Sequence, residues 1–269
     1  MSTLDSTKYV LAGLCVLLFA PGCATLPSGH GWGADATLSP GWDRVKQAAI
    51  TAASDPWVWG PLAGAAVFQL DDLDRRTSDW AREHTPVFGS QKNAQDWSDN
   101  LRSAASVAGL ATLLATPSGG DVGEWITNKV KGGLVEVAAI SATTLATTTL
   151  KSATDRQRPN AAALESFPSG HSSSAAVHAR LAMFNLDSID MNPTLRTTAD
   201  IGLHAISFGT GWARIEAGWH YPSDTLAGMA LGNFFAAFFT QAFLGDDGSR
   251  TLCLSTTDGG ALLAWQWNF

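Results

Sequence analysis

The sequence predicts an all-α fold that closes on a small C-terminal β-hairpin. Three observations carry this. Eight segments place apolar residues at helical spacing. Ala, Gly and Thr fill much of those segments, so their helices can approach closely. Strand-like alternation is confined to the C-terminal segment.

Taken in order, residues 1–22 read as a secretory leader. Lys8 and the amino terminus form a weak basic region, and Tyr9 to Ala20 is an apolar run too short to span a bilayer. Ala20-Pro21-Gly22-Cys23 resembles a bacterial lipobox, which implies export to the cell envelope, acylation of Cys23 and a periplasm-facing lipoprotein. Cys15 then leaves with the leader and Cys253 stands alone, so no disulfide framework is expected. Residues 23–41, rich in Gly, Pro and Ser, read as a linker or irregular arm on the lipid anchor.

Residues 42–245 form the expected helical domain. Its helices fall at Gly41–Ser54, Trp57–Leu70, Asp71–His84, Ala94–Ala115, Glu124–Thr154, Ser172–Leu186, Pro193–Glu216 and Ser223–Leu244. The charged run Asp71 to Arg76 reads as a solvated helix start. Residues 246–269 read as the hairpin, with Asp258-Gly-Gly between two strands. Alternation puts Trp265, Trp267 and Phe269 on one face, expected to pack on the bundle.

Only Leu226–Leu244 approaches a membrane span in this reading, and it holds Asn233 and Gln241. Mean hydropathy is +0.04. A globular domain held to a membrane by its lipid is expected. The net charge of −7 argues against nucleic-acid binding and against broad adhesion to anionic lipid.

Chemistry concentrates in three blocks. The first is Lys151-Ser-Ala-Thr-Asp-Arg-Gln-Arg158-Pro159, the second Pro168-Ser169-Gly170-His171, and the third Arg214-Ile-Glu-Ala-Gly-Trp-His220-Tyr-Pro-Ser-Asp224. They supply three fixed cations, two imidazoles and one carboxylate. Phosphoryl transfer spreads negative charge over three oxygens, so its catalysis is mostly positioning and electrostatic stabilisation. Arg158 and Arg214 offer planar forks for phosphate oxygens, and Lys151 adds a point charge. Ser169 and Gly170 open a helix whose first N–H groups form an anion site. His220 and Asp224, at i and i+4, suit a nucleophile and its orienting carboxylate. His171 is placed to protonate the leaving oxygen.

These blocks resemble the signature of the type 2 phosphatidic acid phosphatase (PAP2) superfamily, which also holds bacterial acid phosphatases and vanadium haloperoxidases. Its pattern is Lys-x6-Arg-Pro, Pro-Ser-Gly-His and Ser-Arg-x5-His-x3-Asp. The match runs from Lys151 to Asp224. The resemblance implies a bundle with six core helices and a metal-independent phosphatase working through a phosphohistidine on His220. It implies Asp224 as orienter and His171 as general acid. Lys151, Arg158, Arg214, Ser169 and Gly170 would bind the phosphate. No metal and no cofactor are implied. One departure stands out: the family serine before the third-block arginine is Ala213, which removes a hydroxyl from the cradle.

The expected substrate is a phosphomonoester or pyrophosphate, and the anchoring points to a lipid phosphate. A vanadium-dependent haloperoxidase is the enzyme alternative, because vanadate would occupy the same cations. A non-catalytic envelope lipoprotein is the other, and the intact blocks speak against it. Outside the blocks, His178 and His204 read as satisfied helix histidines, and His30 and His84 as loop residues. Asp155 and Arg156 read as a local ion pair, and Trp219 as packing.

Overall fold

The computed structural model describes residues 25–26, 29–245, 250–257 and 260–267. The leader, Cys23 and Phe269 lie outside the described residues. Helices α1 (Trp42–Ser54), α2 (Pro56–Val67), α3 (Leu73–His84) and α4 (Gln91–Ala115) come first. Then follow α5 (Val122–Thr154), α6 (Gly170–Asp187), α7 (Pro193–Glu216) and α8 (Pro222–Phe239), which continues as a π-helical turn over Thr240–Leu244. Each of the eight expected helices is present, and the chain is all-helical from residue 42 to residue 244 apart from its loops.

Capping sets the boundaries. Asp55 ends α1 and accepts from Trp57 N at the start of α2, where Pro56 occupies the first turn. Ser90 accepts from Asn93 N, so α4 starts at Gln91, earlier than apolar spacing alone suggests. Asp121, Ser169 and Asn192 cap α5, α6 and α7 through their side chains.

The centre of the bundle is α6 against α8. α6 touches α4, α5, α7 and α8, and α8 touches α1, α2, α3, α5, α6 and α7. Small residues make this possible: Ala175, Ala176, Ala179, Ala182, Ala236 and Ala237 are all buried. Gly228 and Gly232, one turn apart on α8, bring the two backbones together. A Cβ at Gly228 would lie 2.5 Å from the Ser169 carbonyl oxygen, and one at Gly232 2.4 Å from that of Ser173. This contact fixes the start of α6 against the first turn of α8, and the third-block residues flank that seam.

Residues 29–41 run as an irregular arm, but not a loose one. Trp32 is 3% exposed and lies against Gly132. Its N–H donates to the Pro117 carbonyl at 2.7 Å, and Thr37 N donates to the Phe243 carbonyl at 2.8 Å. Burial of the indole holds the arm on the bundle. Towards the C-terminus, Arg250–Thr257 and Gly260–Trp267 pair antiparallel, with Leu254 opposite Leu263.

Two helices, not one, are long and apolar enough to cross a membrane by length and composition: Val122–Thr154 and Pro222–Leu244. The second is mostly buried as the central helix. On the first, Val122, Ile126, Val130, Leu134, Val137 and Leu145 form an outward apolar stripe, each at least half exposed. The expectation that only Leu226–Leu244 approaches a span is therefore corrected. Leu145 carries that stripe into the Ala- and Thr-rich second half of α5.

Candidate active site

Each of the three blocks straddles a helix terminus. Lys151 lies in the last turn of α5, His171 in the first turn of α6, Arg214 in the last turn of α7 and Asp224 in the first turn of α8. Gly218 turns the chain between Arg214 and His220 at φ +75°, a conformation costly for residues with a Cβ. A Cβ there would also meet Arg82 Nε at 2.8 Å.

His220 is buried, and its Nδ1 lies 2.6 Å from the carbonyl oxygen of Ser166. A carbonyl only accepts, so Nδ1 carries the hydrogen and Nε2 keeps its lone pair. Burial chiefly, with Arg214 and Lys151, pushes the imidazole down to about 4, against the pull of Asp224. The ring is therefore neutral at neutral pH.

Asp224 does not touch this ring directly. Its Oδ2 is 3.8 Å from His220 Nδ1, beyond hydrogen-bond reach. The expected i, i+4 contact needs both residues in one helix, and Pro222 starts α8 only after His220. Instead Oδ2 accepts from Ser166 Oγ at 2.5 Å and Tyr221 N at 2.8 Å, and Oδ1 accepts from Arg156 Nη1 at 2.6 Å. Burial raises this carboxyl, but His220, Arg156 and Ser166 outweigh it and hold Asp224 below the usual carboxylate range. Ser166 thus links the two: its hydroxyl holds Asp224 and its carbonyl holds His220.

Arg156 is a second correction. It pairs not with Asp155 but with Asp224 and, through Nη2 at 2.6 Å, with Asp74. Its guanidinium also lies over the Tyr221 ring at 4.3 Å. Asp74 comes from the charged run read as a solvated helix start, yet it is buried and accepts from Ser223 N at 2.8 Å. Its neighbours Asp71, Asp72, Arg75 and Arg76 do face solvent. The available signal was spacing: Asp74 shares a face of α3 with buried Ser78 and Ala81.

The cations gather around Trp219. Arg158 lies 4.9 Å and Arg214 5.0 Å from its ring. The indole, expected only to pack, also orders both guanidiniums. Arg214 is 4% exposed and donates from Nη1 to Gln95 Oε1 at 2.7 Å and Ser98 Oγ at 3.3 Å. Burial, only partly offset by Asp99, with Arg158 and Arg102 adding, pushes Arg214 down to about 10. Nε of Arg158 and Nε of Arg214 are buried without a protein partner among the described residues. Lys151 donates from Nζ to the Glu165 carbonyl, and its side chain lies against Gly170. Ser169 caps α6, and the first N–H groups of that helix, at Gly170 and His171, have no intrahelical acceptor. Buried donors of one sign with open hydrogen-bonding capacity suit an oxyanion.

His171 makes its own contact: Nε2 lies 2.7 Å from Asp99 Oδ1 on α4. Burial and Arg214 push this imidazole down to about 4, while Asp99 opposes them. Asp99 and Gln95 carry no motif. Glu216, fully buried, accepts from Val87 N, Phe88 N and Trp212 Nε1 and pins the loop before α4 to the end of α7. Val87 on the loop before α4 and Trp97 on α4 are about half exposed or more.

Other titratable residues lie elsewhere. His178 bonds the Ser174 carbonyl one turn back, and His204 stacks on Trp57 with centroids 3.5 Å apart. His30 faces Asp35 at 3.5 Å, and His84 bonds the Trp80 carbonyl at 3.0 Å, inside α3 rather than in a loop. Among the described residues, no group of three or more His, Cys, Asp or Glu is arranged to hold a metal. Ala213 is completely buried.

A sequence model of the PAP2 superfamily matches residues 133–246, a span that contains all three blocks. A lipid A 1-phosphatase of Rhizobium etli is 41% identical over 75 residues, 28% of each chain. One of Rhizobium johnstonii is 38% identical over 81 residues, 30% of this chain and 29% of the relative. The chain thus matches less than a third of the length of these curated relatives. Among solved structures, a transmembrane PAP2 type phosphatidylglycerolphosphate phosphatase from Bacillus subtilis superposes with a TM-score of 0.52 at 20% identity. That superposition covers 71% of this chain and 94% of the other, and it shows a shared fold.

Proposed function

We propose that the chain is a metal-independent phosphatase of the PAP2 superfamily, whose model matches residues 133–246, acting on a lipid phosphate through a phosphohistidine at His220. One observation carries this reading. The Ser166 carbonyl claims Nδ1 of a buried, neutral His220, which leaves Nε2 as a nucleophile among cations whose donors are unfilled.

Lys151, Arg158, Arg214 and the first N–H groups of α6 would hold the phosphoryl oxygens. His220 Nε2 attacks phosphorus as the bond to the leaving oxygen breaks, and His171 gives that oxygen a proton. Water then attacks the phosphohistidine, returns a proton to His171 and releases inorganic phosphate. A bound phosphate offsets Arg214, the main charge depressing His171, so the acid becomes protonatable when substrate is present. Asp224, fixed by Arg156, Ser166 and Tyr221, sets the field that favours charge on His220.

The relatives named above act on lipid phosphates by their own names, and this supports a substrate with a lipid tail. The test is phosphate release from a panel containing a lipid A preparation, phosphatidylglycerol phosphate, phosphatidic acid and a soluble aryl phosphate. Release from a lipid should exceed that from the aryl phosphate, persist in chelator and stop with vanadate, which mimics the five-coordinate transition state. Loss in chelator restored by a divalent metal would overturn the metal-free reading. Peroxide- and vanadate-dependent halogenation without phosphate release would replace it with the haloperoxidase.

We place the enzyme at the cell envelope, with an acyl chain on Cys23 as its anchor. In cells, the wild-type chain should take up labelled acyl groups and Cys23→Ser should not. Equal labelling of both would remove Cys23 as the acceptor.

A further inference from the structure

We propose that Asp99 is the positioning residue for the leaving-group acid: it holds Nε2 of His171, so that Nδ1 is the nitrogen that gives and takes the proton. This rests on the reading of His171 as the acid. A carboxylate only accepts, so the 2.7 Å contact places a hydrogen on Nε2. Asp99 is itself held, because Gln95 Nε2 donates to its Oδ2 at 3.0 Å. Gln95 Oε1 in turn accepts from Arg214.

One face of α4 therefore ties a phosphate-binding guanidinium to the acid. Gln95, Ser98 and Asp99 sit at i, i+3 and i+4, where side chains line up. This face lies outside the segment matched by the superfamily and outside all three blocks. It is a direct histidine–carboxylate pair, unlike His220 and Asp224, which Ser166 links.

The charged groups that face His171 are Asp99 and Arg102 from α4 and Arg214 from α7, with Lys151 of α5 against the adjacent Gly170. Asp99 is the one anion in that set. When His171 is doubly protonated, the Asp99 carboxylate balances its charge. As the phosphorus–oxygen bond breaks, the Nδ1 proton moves to the leaving oxygen and His171 becomes neutral. The water that hydrolyses the phosphohistidine restores that proton. Asp99 is half exposed, so it keeps this acid in touch with solvent.

The test uses Asp99→Asn, which preserves shape and an acceptor oxygen but removes the charge, beside Asp99→Glu and His171→Ala in the full chain. An alkyl or lipid phosphate needs its leaving oxygen protonated, whereas an aryl phosphate does not. Asp99→Asn should lower kcat on the lipid phosphate by about tenfold or more, within the range a positioned acid supplies. It should leave the single-turnover rate of aryl leaving-group release, which precedes the water step, within about threefold. The upper pKa of the kcat profile should move down, because the anion favouring protonated His171 is gone. Asp99→Glu should recover part of the loss. Equal losses on both substrates with an unmoved pH profile would overturn the proposal and leave Asp99 a structural contact. If His171→Ala itself shows no dependence on the leaving group, the acid assignment fails first. If His171→Ala shows it and Asp99→Asn does not, the Asp99 role alone fails.

Discussion

His220→Ala will reduce phosphate release to background, a loss on the order of 10⁴-fold or more, the scale seen when a covalent nucleophile is removed. The reason is geometric. No second imidazole can replace Nε2, since His171 is committed to Asp99 and His178 to the Ser174 carbonyl. Arg158, Arg214 and Lys151 do not depend on the His220 side chain, so the variant should still bind phosphate or vanadate. Isothermal titration of vanadate beside turnover separates the two effects. Near-normal turnover in His220→Ala would remove this residue as nucleophile, and lost vanadate binding would point to collapse of the site.

Arg214→Lys will lower kcat/KM by about 10²- to 10³-fold, the range for loss of a preorganised charge-stabilising donor. Charge is kept, so a charge-only role predicts little change. The guanidinium does more: it spans Gln95 and Ser98, lies over Trp219 and still has Nε unfilled. An ammonium group cannot hold those partners and present a planar fork to phosphate. The buried position makes a misplaced lysine worse, because an ill-solvated point charge moves towards any acceptor within reach. A loss below about fivefold would show that Arg214 acts as a diffuse charge rather than as a directional ligand.

Much of this architecture is legible along the chain because its signals are local. Helix starts follow from Asp55, Ser90, Asp121, Ser169 and Asn192, each beside the N–H groups it caps. The three blocks are legible because their residues are fixed by short spacings. What sequence does not carry is contact between distant segments. Ser166 reaches His220 because the loop after α5 folds back, with Ser166 N on the Arg156 carbonyl and Arg158 N on the Ala163 carbonyl. Nothing in the order of residues 158–168 marks that reversal.

Asp74 and Asp99 are the same case. Each sits on a helix remote from the blocks and reaches the site through tertiary packing, Asp74 through Arg156 and Ser223, Asp99 through His171. Their signal is only that a carboxylate lies on the inward face of a helix. The outward stripe of α5 is hidden in the sequence for a related reason. Its apolar residues are spaced one turn apart between polar ones, so the run never looks hydrophobic when read continuously.

Rapid-quench trapping of the wild-type enzyme during turnover of a phosphorylated substrate, with His220→Ala as control, tests the central claim most directly. The quenched protein is digested and its acid-labile phosphoryl group located by mass spectrometry and phosphorus resonance. Because the Ser166 carbonyl holds Nδ1–H, the phosphoryl group should sit on Nε2 of His220 and be missing from the control. A phosphoryl group on Nδ1 of His220 or on His171, or none on protein under conditions that trap the intermediate, would contradict the account.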